Sequence, residues 1–123
     1  MAKRLLVTDD ALIIREIIKD AAQDAGWEIA GEACNGQMAV EMYDKLRPDV
    51  CTLDLVMPEF DGIHGLKGIK ALDPDAKVVI VSALDQKSVL KETFQLGVSD
   101  FIVKPFDRKS LINTLEQLIT EAD

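Results

Sequence analysis

The sequence predicts an α/β domain in which helices cover both faces of a parallel sheet. Short apolar runs alternate with helical patterns five times along the chain. The first, third and fourth of these runs are nearly continuous in Val, Ile and Leu, as strands buried on both faces require. The connections are short, so each crossover has to be right-handed with its helix laid back on the sheet.

The first strand is expected over Lys3–Thr8, with Leu5-Leu-Val7 as its apolar run. A helix follows over Ala11–Ala25. Leu12, Ile13, Arg15, Ile17, Ile18, Ala21 and Ala22 form a stripe of helical period along it, with Lys19 and Asp20 facing outward. Gly26 stands just past that helix, where a left-handed residue is favoured. The second strand is read over Glu28–Ala33, and Asn35 suits the N-cap of a helix over Gly36–Leu46 that Pro48 ends. Strand three is Asp49–Leu53 and helix three Gly62–Leu72.

Gly62, Gly65 and Gly68 fall in helix three, where an interior glycine costs roughly 1 kcal/mol relative to alanine. Their spacing and place are not those of a dinucleotide loop, which needs Gly-x-Gly-x-x-Gly straight after a strand. Close helix packing or a locally mobile helix is the expected reason for them. Pro74 ends that helix, strand four follows over Lys77–Val81, and helix four covers Gln86–Leu96 with Gly97 beyond it. Strand five is Asp100–Val103, and Asp107 caps a last helix over Arg108–Glu121, with Ser110 in its first turn.

Composition limits the function. With 123 residues, 48% hydrophobic and 29% charged, the chain is expected to form one domain spanning 1–123 rather than a disordered segment. A net charge of −8 argues against a nucleic-acid binder, which needs a basic face. No apolar run approaches the roughly 20 residues of a membrane span. The first ten residues lack a signal-peptide core, so the expected location is the cytoplasm. Cys34 and Cys51 have no metal-type spacing and read as free thiols, Cys51 as a small core residue. The single histidine, His64, reads as a surface residue of helix three.

Chemistry gathers where the strands end. Ligands of an open parallel sheet bind beyond the carboxyl ends of its strands. There the sequence puts Asp9-Asp10 after strand one, Asp54 after strand three, Ser82-Ala83 after strand four and Lys104-Pro105 after strand five. Carboxylates forced together call for a cation, and a hard divalent ion such as Mg²⁺ takes carboxylate, water and phosphate oxygens. With that charge present, Asp54 can attack phosphorus to give an aspartyl phosphate. Lys104 supplies fixed positive charge, and Ser82 a hydroxyl donor, for the phosphoryl oxygens.

This set, with Met57-Pro58 and Asp61-Gly62 after Asp54 and Pro105-Phe106 after Lys104, resembles the receiver domains of two-component response regulators, and among them the single-domain, CheY-like chemotaxis type. The resemblance covers essentially the whole chain. It implies a (βα)5 flavodoxin-like doubly wound parallel sheet with strand order 2-1-3-4-5. It also implies Asp54 as phosphoacceptor, Asp10 and Asp54 as direct Mg²⁺ ligands with the Val56 backbone carbonyl, and Asp9 acting on the metal largely through water. Mn²⁺ is implied as a substitute ion. Lys104 and Ser82 would contact the phosphoryl group, and the Lys104–Pro105 peptide would be cis.

Ser82 and Phe101 are the implied switch pair: the hydroxyl moves toward a phosphorylated Asp54 and the aromatic ring turns into the space behind it. The face formed by helix four, strand five and helix five would respond, with Leu90, Phe94, Phe101 and Val103 as apolar candidates beside Lys87 and Lys91. Phe94 fits either that surface or the core. The implied partners are a histidine kinase as phosphodonor, a downstream protein such as a flagellar motor switch component, and a phosphatase. Nucleic acid and membrane are not among them, and a monomer is expected. The only catalysis implied is of the protein's own phosphorylation and dephosphorylation.

Three departures from the commonest receiver pattern stand out. Ser82 takes a place where Thr is also frequent, Phe101 replaces the common Tyr, and apolar Val56 and Leu84 flank the expected phosphoryl site. The last pair is expected to hinder a hydrolytic water. A phosphatase of the haloacid-dehalogenase class also forms an aspartyl phosphate, but it needs Asp-x-Asp after its first strand. The one such motif here, Asp73-Pro-Asp75, precedes a strand. A flavodoxin-like cofactor carrier needs a Ser/Thr/Gly phosphate loop after its first strand, where this chain has none, and three acids would repel a flavin phosphate. A phosphorelay intermediate and a receiver cut from a larger regulator share the same rim. The end at Glu121-Ala-Asp123, without a linker, favours a stand-alone protein.

Overall fold

Leu5, Leu6 and Val7 are all fully buried, as are Val78, Val79 and Ile80, because each strand carrying them is covered on both faces. A computed structural model describes residues 3–121. Met1, Ala2, Ala122 and Asp123, which entered the expectations about the two chain ends, lie outside the described residues. In chain order the elements are β1 (Lys3–Thr8), α1 (Leu12–Asp24), β2 (Trp27–Ala33), α2 (Gly36–Leu46), β3 (Val50–Leu53), α3 (Gly62–Leu72), β4 (Val78–Ser82), α4 (Lys87–Gln95), β5 (Asp100–Val103) and α5 (Arg108–Glu121). The strands form one parallel sheet in the order β2-β1-β3-β4-β5, as expected. Among the described residues, no helix is long and apolar enough to cross a membrane.

Two cores flank the sheet. Leu6, Cys51, Leu53 and Ile80 face α2 and α3 through Ala39, Tyr43, Leu66 and Ile69. Leu5, Val7, Val79 and Val81 face α1 and α5 through Ile18, Ala22, Leu111 and Leu115. A bulge crosses β2. Leu5 pairs with Ile29 but Leu6 with Gly31, so Ala30 is an extra residue in the ladder. The strand's side chains change sides there. Trp27 and Ile29 join the α1/α5 core, whereas Ala33 joins the opposite one.

The expected α1 stripe is only half right. Ile18, Ala21 and Ala22 are buried, but Leu12, Ile13 and Ile17 are exposed, Ile13 to 66%. Lys19, expected to face outward, is drawn down to Glu16 at 2.7 Å and to Glu32 of β2 at 2.9 Å. Ile14 of the first turn packs on the α1/α5 core with Ile18, Ala21 and Ala22, so the buried strip is narrower than the apolar stripe and leaves Ile13 and Ile17 to one side of it.

The α3 glycines are explained by close packing. A methyl group on Gly62 would meet the Asp54 carbonyl oxygen, and one on Gly36 the Asp61 carbonyl. A Cβ on Gly65 would lie 3.2 Å from the Gly36 Cα, so the starts of α2 and α3 touch backbone to backbone. Asn35 and Asp61 cap these two helices by accepting from the Met38 and His64 N–H groups. Gly26 and Gly97 have φ of 90° and 96°, as expected past α1 and α4. By contrast, α4 buries only Thr93.

Backbone contact should decide glycine tolerance. Gly62→Ala is expected to destabilise by about 1–3 kcal/mol net despite alanine's helix preference, because its methyl overlaps main chain. Gly68→Ala should cost less, since that methyl meets only the Val40 side chain at 2.5 Å. Urea denaturation of the two variants checks this order.

Candidate functional site

The carboxyl edge of the sheet is tied together by main-chain hydrogen bonds that run past the strand ends. Asp9 donates to Ala33 at 3.1 Å, Asp54 to Thr8 at 3.1 Å, and Lys104 to Ser82 at 2.9 Å. Each of these donors is a residue the sequence marked for chemistry. With its backbone fixed this way, each side chain leaves the edge at a defined point.

Asp9, Asp10 and Asp54 do converge. One carboxylate oxygen from each lies within 4.8 Å of the others. Asp9 is 1% exposed and Asp54 6%, while Asp10 opens to solvent. Lys104 bridges the two buried acids, with its Nζ 2.7 Å from Asp9 and 3.3 Å from Asp54. Burial works against the Lys104 ammonium, but the Asp9 hydrogen bond and the charge of Asp54 outweigh it and hold its pKa above the ordinary lysine value.

The two buried acids are not equivalent. Both Asp9 oxygens are engaged, one by Lys104 and the other by the Ala11 N–H at 2.9 Å. Asp54 is held more loosely: the Val56 N–H approaches its Oδ1 at 3.4 Å and Lys104 its Oδ2 at 3.3 Å, both near the outer limit of a hydrogen bond. Asp54 therefore keeps the more available lone pairs. An all-oxygen donor set of three acids fits a hard divalent cation and suits thiophilic metals poorly.

Ser82 is the last residue of β4, one place beyond the predicted strand end, and is fully buried with its Oγ accepting from the Leu84 N–H at 3.3 Å. Register puts Ser82 one residue past the level of Asp54, since Leu53 pairs with Ile80. Phe101 is half-buried on β5 and packs, with Leu84 and Val89, on the α2/α3 side of the sheet. Phe94 is 49% exposed, which places it on the surface. Val103 is exposed as well, and Leu90 is half-buried. The side chain of Val56 is 58% exposed above the rim. The Lys104–Pro105 peptide is cis.

The remaining reactive groups stand apart. Cys51 is sealed in the core, where burial pushes its thiol up to about 12, and Cys34 is exposed. His64 is exposed, bonded to Gln37 at 2.7 Å and tilted against the Phe60 ring. An open cleft of about 320 Å³ beside Lys104 is lined by Ile14, Ile17, Ala83, Pro105 and Phe106. Sequence reasoning missed Arg15 and Glu32 as members of the site's surroundings. Arg15 donates to the Asp9 carbonyl at 2.8 Å and to Glu32 at 3.0 Å. The available signal was a cation set within an otherwise apolar helical stripe. Glu32 stays ionised: the Lys19 hydrogen bond outweighs the effect of burial, and Arg15 adds to it.

The sequence matches the response regulator receiver domain over residues 5–116. It is 44% identical to the chemotaxis protein CheY of Thermotoga maritima over 96% of this chain and 98% of that one. It is 42% identical to CheY of Bacillus subtilis over 97% and 99%. Among solved structures, the CheX–CheY–BeF3–Mg²⁺ complex from Borrelia burgdorferi superposes with a TM-score of 0.91 at 30% identity, covering 94% of this chain and 88% of that one.

Removal of the bridging ammonium should expose the carboxylate repulsion. Lys104→Met is expected to cost about 3 kcal/mol, as breaking a buried pair does. Asp54→Asn should offset part of that loss in the double variant. A denaturation cycle over the four proteins measures the coupling, and simple additivity would count against the bridge.

Proposed function

The chain belongs to the response regulator receiver domain family of two-component signalling, and from that premise we propose that Asp54 is its phosphoacceptor. The observation that carries this reading is the position of Asp54: buried, loosely held, and within 4.8 Å of two further carboxylates. Receiver domains take phosphate from histidine kinases and pass the state on to targets; they are signalling proteins rather than ordinary enzymes.

In the proposed chemistry, Asp10, Asp54 and the Val56 carbonyl would hold Mg²⁺, or Mn²⁺ in its place. Asp9, both of whose oxygens are already engaged, contributes through water. The bound ion supplies positive charge that lowers the repulsion between Asp54 and an incoming phosphoryl group. An Asp54 oxygen attacks phosphorus, the P–N bond of the donor phosphohistidine breaks, and the imidazole nitrogen leaves with the electron pair. Lys104, already 3.3 Å from Asp54, and the Ser82 hydroxyl receive the phosphoryl oxygens. The donor approaches over the apolar cleft beside Lys104, whose lining includes the exposed Ile17 of α1.

Ser82 then draws toward the phosphoryl group and Phe101 turns into the space it leaves. This shifts the balance between two states of the α4-β5-α5 face. Exposed Phe94 and Val103 and half-buried Leu90 give that face an apolar surface for a downstream protein. The similarity to CheY proteins over nearly the full chain supports chemotaxis control, with a flagellar motor switch component as target. The Borrelia CheY was solved with CheX, which supports a further partner acting on the phosphorylated form, a phosphatase in this reading. We place the protein in the cytoplasm, acting as a monomer.

Acetyl phosphate with Mg²⁺ should add one phosphoryl group, read by intact-protein mass spectrometry, and Asp54→Asn should abolish it. Labelling of that variant at another residue would sink the assignment. Decay of the acyl phosphate is expected to be slow, because exposed Val56 and half-buried Leu84 present apolar groups to the attacking water. Val56→Asn and Leu84→Glu should speed it by about 10-fold, less than the roughly 100-fold or more of a fully positioned general base. Equal decay in all three proteins would remove this explanation.

A further inference from the structure

We propose that Arg15 is a positioning residue for the cation site: by holding the Asp9 carbonyl, it sets the plane of the Asp9–Asp10 peptide and so the relative aim of the two carboxylates. The inference rests on the reading of Asp9, Asp10 and Asp54 as a cation site. The carbonyl that accepts from Arg15 Nη1 at 2.8 Å belongs to the peptide unit joining the two acids. That unit is planar, so fixing its oxygen fixes where the Asp10 Cα stands. Asp9 is otherwise held at its own N–H by Ala33 and at its carboxylate by Lys104 and Ala11. Asp10 is exposed, and its direction depends on the peptide before it.

Arg15 is itself braced. Its Nε donates to Glu32 at 3.0 Å, and the other Glu32 oxygen takes Lys19 at 2.9 Å. The planar fork lets one guanidinium bond a carboxylate and a carbonyl at once, which a lysine ammonium does with less directional control. The chain of contacts runs from α1 to β2 and back to the end of β1. Pairing with Glu32 also neutralises a charge that would otherwise repel a cation beside the site. This gives the proposal a sign. Were Arg15 present only as a positive charge, its removal would tighten cation binding; as a positioning residue, its removal loosens it.

Calorimetric titration of the metal-free full chain with Mg²⁺ tests this. Wild type should bind, Arg15→Met should bind about 10-fold more weakly, as loss of an outer-shell partner does, and Arg15→Lys should fall between. Glu32→Gln should weaken binding in the same direction. The double variant should be no weaker than Arg15→Met, because the two residues act in one chain of contacts. In acetyl phosphate labelling, the Arg15→Met defect should disappear at saturating Mg²⁺. Equal or tighter binding by Arg15→Met overturns the proposal. Should that variant not fold in urea controls, unchanged affinity in both Arg15→Lys and Glu32→Gln overturns it. No Mg²⁺ binding by wild type would instead sink the cation-site reading.

Discussion

Everything at the rim answers to one constraint: a parallel sheet delivers the segments after its strands to the same edge, and here those segments bring three acids together, Asp9 and Asp10 after β1 and Asp54 after β3. Asp9 and Asp54 are buried, where like charges interact far more strongly than in water. The fold answers with a single ammonium from the far side of the sheet. Lys104 follows β5, and with Asp10 counted the described cluster still carries more negative charge than positive. The residual charge is the chemical basis of the proposed cation site. The main-chain bonds at Asp9, Asp54 and Lys104 keep these groups from moving apart to relieve it.

The charged half of this arrangement was legible in the sequence because an acid at the end of an apolar run is costly and therefore informative. Asp9, Asp10, Asp54, Ser82 and Lys104 all reach the predicted edge, and the strand order follows. Apolar residues were less informative. The α1 periodicity gave the helix but not the point where its buried face ends, since the width of the sheet is a tertiary property. Leu12, Ile13 and Ile17 therefore read as core and prove exposed.

Other features depend on contacts that spacing cannot encode. In β2, Trp27, Ile29, Gly31 and Ala33 alternate as if on one face, yet the bulge at Ala30 divides them between two cores. Arg15 hid for the opposite reason: its partner Glu32 is on a different element, strand β2, and the atom it bonds at Asp9 is a backbone oxygen, which sequence does not distinguish. The α3 glycines could be read as packing or as mobility, and only the approach of Gly36 to Gly65 separates the two.

The two sides of Asp54 differ mechanically. Toward α2 and α3 the site leans on backbone held against backbone, a contact that cannot yield without breaking. Toward α4 it meets a helix whose one buried residue is Thr93, with Leu84, Val89 and Phe101 packed only in part. In the proposed switch, a displacement created at the rim would travel unequally, with the glycine side as an anvil and the α4 side as a spring. Directionality of the proposed output would in this sense be a property of packing stiffness, set before any partner arrives.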